Sequence, residues 1–310
     1  MMKKYSNQRR AYGEELVALG RENPNVVALE ADLGKSTMSC LFQEAFPDRY
    51  FEMGIAEQDM LSTAAGLAVS GKIAFCSTFA VFASGRAYDQ MRQTISIGRL
   101  NVKLCGSSSG LSDFGDGSTH QAVEDVALMS AIPNMTVFTP CDPVEVRQAV
   151  RAAAAIQGPV YIRVVRNDVP ELIDPSSKFE VGKLRTLREG TDVAILAHGV
   201  MVDEALEAAE TLQKAGISAK VVNVATMKPF PYDEVKALAG QVKAIVTAED
   251  HTFIGGLASA AALALRQSAT PMDYVAIPDS FGQSAQSSEE LMKFYGVTRD
   301  DIVKKVQALL

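Results

Sequence analysis

Short runs of β-branched and aliphatic residues recur through the first half of the chain, separated by stretches whose apolar positions return every three or four residues. The runs NVVALEAD (25–32), KIAFCSTF (72–79), NVKLCGSS (101–108), MTVFTP (135–140) and PVYIRVV (159–165) predict buried strands. Helices are predicted over 56–69, 83–96 and 142–156. Such alternation gives an α/β fold, a mostly parallel sheet with helices on both faces, and in such sheets ligands gather at the carboxyl ends of strands. From 167 to 190 the pattern lapses into turn formers and charges, which reads as a linker with one edge strand. A second, shorter α/β series follows through 192–199, 219–226, 243–250 and 272–279, closed by an amphipathic helix in TRDDIVKKVQALL. The expected organisation is two such domains, 1–168 and 191–310, joined by a linker at 169–190.

Bulk properties narrow the function classes. The 310 residues are 47% hydrophobic and 22% charged, which excludes a disordered chain. A formal net charge of −7 argues against nucleic acid, whose phosphates call for clustered Lys and Arg. No apolar run is long enough to cross a bilayer, and the N-terminal MMKKYSNQRRAYGEEL lacks the apolar core of a secretory signal. Cys40, Cys76, Cys105 and Cys141 are widely spaced, without a zinc-type pattern, so reduced thiols in the cytoplasm and no metal site in this chain are expected.

Several segments carry candidate chemistry, each with a structural alternative. FEMGIAEQDM (51–60) sets Glu57 and Asp59 at the mouth of an apolar helix. Acids there complement the helix dipole, but a carboxyl stripped of water also has a raised pKa and can work as an acid. GDGSTHQ (115–121) holds Asp116 and His120 in a Gly/Ser-rich turn, where a histidine is either solvated or a proton carrier. STFAVF (77–82) spaces Phe79 and Phe82 to share one face, as core residues or as a clamp for a planar ring. HTFIGGLAS (251–259) lacks the spaced glycines of a dinucleotide fingerprint and reads as a tight strand-to-helix turn.

The order of the motifs is more specific than any one of them. ADLGKS, GIAEQ, STFAVF, GDGSTHQ, MTVFTPCDPVE, YIRVVRND, ATMKPF and EDHTFIGG follow one another along nearly the whole chain. Together they resemble the C-terminal half of transketolase, its pyrimidine-binding and C-terminal domains. Deoxyxylulose-phosphate synthase is also similar, most strongly at GIAEQ and RAYDQ (86–90), and the beta subunits of 2-oxo acid dehydrogenases more distantly.

The resemblance implies a role for each matching residue. Glu57 falls on the glutamate that hydrogen-bonds the aminopyrimidine of thiamine diphosphate and promotes loss of the thiazolium proton. Phe79 and Phe82 fall on the aromatic wall around that ring, and Asp32 and Ile55 on positions that pack against the cofactor. His120 corresponds to a catalytic histidine that binds the donor sugar near its carbonyl, and Asp116 to an aspartate that reads a donor hydroxyl. Arg9, Ser36 and Arg166 fall where the substrate phosphate is held. The chain departs from the pattern near SDFGDG, which reads as about two residues longer. It departs again at Gly106, read in place of a phosphate-binding histidine, and near Gly85, where a third aromatic is small and Tyr88 can substitute.

In this family magnesium is bound by a GDG followed by Asn on a separate diphosphate-binding domain. The GDG at 115–117 belongs to GDGSTHQ, with Asn134 too close behind it, and no α/β domain precedes ADLGKS. The expectation is therefore half an enzyme: the C-terminal subunit of a split transketolase. It would move a two-carbon ketol unit from a ketose phosphate, or a similar anionic ketose, to an aldose. Its partner would be an N-terminal subunit carrying the GDG–Asn motif and the magnesium ligands, in a two-fold heterotetramer. The alternatives are a subunit of a thiamine-diphosphate synthase or 2-oxo acid decarboxylase, and a non-catalytic module that retains the fold.

Overall fold

A computed structural model describes residues 3–310 and contains two mostly parallel sheets flanked by helices. The first has seven strands in the order Thr226–Lys228, Thr136–Phe138, Val160–Arg163, Val102–Ser107, Ile73–Phe79, Val26–Glu30 and Tyr50–Glu52. All pair in parallel except Thr226–Lys228, which runs antiparallel to Thr136–Phe138. Its central strands are buried on both faces, as their unbroken apolar runs require. The second sheet has five strands in the order Met272–Ile277, Ala244–Thr252, Val193–Ala197, Ala219–Asn223 and Arg185–Arg188, the last antiparallel.

Helices Gln8–Glu22 and Pro143–Ala155 cover one face of the first sheet, around Tyr12, Leu16, Phe75 and Ile162. Helices Glu57–Val69 and Asp125–Ala131 lie on the other, in a core that continues into the second sheet through Leu196, Val222 and Ile245. The predicted helix over 83–96 is instead two π-helical stretches, Phe82–Arg86 and Gln90–Ser96. Wide i→i+5 bonds such as Ala87 N–H to the Phe82 carbonyl mark them. Turns of this kind are rare and often accompany functional sites.

Several short strands outside the predicted apolar runs are stabilised by their pairing partners. Asp168–Pro170, in the expected linker, pairs with Tyr5–Asn7. Tyr50–Glu52 adds an edge to the first sheet. Thr226–Lys228 crosses over from the C-terminal series to that sheet, where Lys228 Nζ donates to the Ser130 and Ile132 carbonyls at the end of helix Asp125–Ala131. Cations suit that negative helix end. CDPVE is likewise structural: Pro143 opens its helix, and Asp142 Oδ1 accepts from the Glu145 N–H at 2.7 Å.

The two sheets are joined by a buried ion cluster. Arg163 Nε donates to Asp125 at 3.1 Å, and its Nη1 and Nη2 donate to the Asp250 carboxylate at 2.6 Å and the Asp250 carbonyl at 3.1 Å. All three residues are buried, and Tyr161 completes the set by donating to Asp125 at 2.7 Å. Removing one member of such a cluster leaves an uncompensated buried charge. Arg163→Ala is expected to lower unfolding free energy by about 3–5 kcal/mol. The variant Arg163→Met/Asp125→Asn/Asp250→Asn should lose clearly less, with urea denaturation as the measurement.

Candidate active site

Glu57 is the first residue of its helix and is 1% exposed. Arg86 Nη1 reaches both carboxylate oxygens, at 3.0 and 2.9 Å. Arg86 comes from the first π-helical stretch, and its guanidinium lies over the Phe82 ring, 4.3 Å from the centroid. Phe79 ends its strand, Phe82 opens the π turn three residues on, and the rings stand nearly parallel with centroids 6.1 Å apart. Phe79 is core, whereas Phe82 is only partly buried. His120 meets both rings edge-on, at 6.2 and 5.3 Å, and its Nδ1 is 2.8 Å from the Thr119 hydroxyl. Residues far apart in the chain thus form one group in which a buried carboxylate, a guanidinium, two aromatic rings and an imidazole adjoin. Arg86 was not singled out in the sequence. Its signal was the four-residue spacing from Phe82, which a turn of helix brings together.

Asp32 and Ile55 are exposed, and Glu52 ties their loops together. Its Oε1 accepts from the Asp32 N–H at 2.8 Å and the Gly54 N–H at 3.0 Å. Asp32 has a left-handed backbone (φ 62°), a conformation that Asp tolerates better than most residues. Behind it, Glu30 is fully buried at the end of its strand and accepts from the Leu33 N–H at 2.5 Å. Burial, with Glu52 and Asp32 nearby, pushes its carboxyl up to about 8.

Arg9, Ser36 and Arg166 also converge. Arg9 Nη1 donates to the Ser36 carbonyl at 2.9 Å. Burial and then the Arg166 charge hold the Arg9 guanidinium below its ordinary value, so the two cations face one another. Arg166 Nη1 donates to Asp113 at 2.6 Å and lies 3.8 Å from the exposed Asp116. Asp113 is a second residue that the motifs did not indicate.

Gly106 faces Tyr161. It lies within strand Val102–Ser107, where an added Cβ would come 2.1 Å from the Tyr161 hydroxyl, so Tyr161 occupies the space a larger residue would need. Ser108, just beyond that strand, is buried in the left-handed region (φ 55°) with an unpartnered hydroxyl. A Cβ added at Gly85 would meet open space.

The loop bearing Asp116 and His120 is closed by the bridge between Gly110 and Ala122. Gln121 clamps it, with Nε2 donating to the Asp113 and Gln283 carbonyls, each at 3.0 Å. EDHTFIGG is a strand-to-helix junction, where Glu249 accepts from the Leu257 and Ala258 N–H groups at 2.7 and 2.8 Å. His198 and His251 are buried beside it, and desolvation lowers the His198 pKa to about 4. Among the described residues no three His, Cys, Asp or Glu side chains are grouped to hold a metal ion, and no helix is long and apolar enough to cross a membrane.

Comparison with known proteins yields consistent matches. Residues 5–171 match the family model for the transketolase pyrimidine binding domain, and residues 182–302 that for the transketolase C-terminal domain. A putative transketolase C-terminal section of Methanocaldococcus jannaschii is 41% identical over 307 residues, covering 97% of this chain and 96% of that protein. A 6-deoxy-6-sulfo-D-fructose transketolase subunit of a Clostridium strain is 41% identical over 297 residues, covering 96% and 92%. A solved structure described as a split gene transketolase, inactive beta4 tetramer, is 47% identical with a TM-score of 0.91, covering 98% of both chains.

Glu30 gives the site a pH signature. Its folded-state value of about 8 lies above the ordinary 4.5, so the folded chain holds the extra proton between them. Its contribution is fully present below the lower value and is lost as pH rises to the upper one. Glu30→Gln should flatten that dependence and stabilise the protein by roughly 2–4 kcal/mol above the upper value, relative to the parent. Parallel urea unfolding curves across this range would contradict the assignment.

Proposed function

This chain belongs to the transketolase family, and from that footing we propose that it is the C-terminal subunit of a split, thiamine-diphosphate-dependent transketolase acting in the cytoplasm. It transfers a two-carbon ketol unit to an aldose from a ketose with an anionic end, a phosphate or, as in the name of the sulfo-sugar relative, a sulfonate. The observation that carries this reading is the buried Glu57 carboxylate beside the Phe79–Phe82 wall and His120.

The residues present fit the cofactor. Phe82 is a partly exposed aromatic ring beside which a planar ring could pack. Thr78, Ser107 and Ser108 leave buried hydroxyls unpartnered at the adjoining strand ends. Bound thiamine diphosphate supplies a carbon nucleophile and an electron sink. Glu57 would hydrogen-bond the aminopyrimidine through its carboxyl group, and its burial would keep water from competing for that bond. Arg86 pairs with Glu57 and covers Phe82, which orders the carboxyl group and the ring wall together. Asp32 and Ile55 pack against the same ring from loops that Glu52 joins.

His120 binds the donor near its carbonyl, held by the two rings and Thr119, and moves protons at its Nε2. Asp116 reads a donor hydroxyl, while Arg9, Ser36 and Arg166 take the anionic end. Magnesium is held by the partner N-terminal subunit through its GDG–Asn motif. Two copies of each chain complete the sites, with the proposed pyrimidine-binding domain at 1–168, linker at 169–190 and C-terminal domain at 191–310.

Steady-state assay of the reconstituted pair tests these roles. Glu57→Gln should lower kcat by about 100-fold or more without lowering Tm, as loss of a proton-handling group does. His120→Ala should raise KM for the donor as well. A Glu57→Gln pair with near-parental turnover would sink the reading. Carbon dioxide release from pyruvate, with no ketol transfer, would favour the synthase or decarboxylase alternative.

A further inference from the structure

The substrate's end group is constrained by charges around Arg9 and Arg166. Arg166 is already paired: Asp113 Oδ1 lies 2.6 Å from its Nη1, and Asp116 Oδ2 lies 3.8 Å away. The Asp113 side chain is wholly buried, and its second oxygen has no hydrogen-bond partner among the described residues. Asp168, exposed and bonded to the Asn7 amide, adds a third carboxylate within reach of Arg9. Two cations therefore share their field with three anions, and Asp113 is the one that solvent screens least.

Attraction to that field grows in proportion to a ligand's charge, whereas the penalty for removing the ligand from water grows as the charge squared. A weakened positive field thus holds a singly charged group more easily than a doubly charged one. We propose that the Arg9–Arg166 site selects substrates ending in a singly charged tetrahedral anion, a sulfonate, over a phosphate dianion, and that Asp113 sets this preference. The proposal rests on reading Arg9 and Arg166 as the holders of the substrate's anionic end. Burial raises the Asp113 carboxyl and Asp116 raises it further, in line with a crowded acidic wall that Arg166 only partly offsets.

The test compares methanesulfonate with methylphosphonate, at a pH where the phosphonate is doubly charged. Each is titrated into the full chain while the Arg9 and Arg166 side-chain N–H signals are followed by NMR. Methanesulfonate should bind about tenfold more tightly to the parent, equivalent to about 1.4 kcal/mol. Asp113→Asn should tighten phosphonate binding about tenfold while changing sulfonate binding much less, because removing a like charge matters more to the dianion. Arg166→Gln should weaken both, which locates the site. If Asp113→Asn does not fold, the exposed Asp116→Asn should move the preference the same way by a smaller factor. Tighter phosphonate binding by the parent, equal shifts for both anions in Asp113→Asn, or no response at Arg9 and Arg166 would each overturn the proposal. The readout needs no turnover, so an inactive pair that retains sulfonate preference would count against the transketolase reading alone.

Discussion

The buried Arg163 guanidinium ties the two sheets of this molecule together. It stands at the end of a central strand of the first sheet and bonds Asp125 on one side and Asp250 of the second sheet on the other. Three buried charges in contact leave little freedom of placement, because an unmade bond there is strongly unfavourable. Gly110 shows how far the constraint reaches. Its φ of 59° and its contact with the cluster, where a Cβ would lie 1.9 Å from Asp250 Oδ2, suit only glycine. Gly110 is also where the loop carrying Asp113, Asp116 and His120 closes on itself.

A chain of contacts therefore leads from the junction between the sheets to the candidate site. The C-terminal series does more than pack behind the first sheet. Its Gln283 carbonyl takes the Gln121 amide, and Gly282 lies against the same side chain, so the loop beside His120 is held from both domains. The other half of the site depends on strand ends and on the π-helical segment. Phe79 is anchored in the core, and the wide turn after it swings Phe82 and Arg86 over Glu57. Rigid elements supply the positions, and the polar ends of those elements supply the chemistry.

The central strands were legible because continuous apolar runs of Val, Ile and Leu can only be satisfied inside a covered parallel sheet. Glu57 is legible as a carboxylate out of place in an apolar helix, whereas its pairing with Arg86 is not, because the two lie 29 positions apart and only the fold brings them together. Asp113 was hidden for the same reason: its meaning comes from Arg166, 53 positions along the chain. A motif match fixes no side-chain direction, and Gly106, matched to a phosphate-binding histidine, lies under Tyr161 in its strand. Of the three histidines, two are buried structural groups and only His120 reaches the site, a distinction that burial alone makes.

The proposed assignment gives this chain one half of a thiamine-diphosphate site, with the rest on another polypeptide. Calorimetric titration of thiamine diphosphate with magnesium, into the purified chain alone and then into its mixture with the N-terminal subunit, addresses it directly. No saturable heat is expected from the chain alone, and a saturable, magnesium-dependent isotherm from the mixture. Tight magnesium-dependent binding to the chain by itself would contradict it.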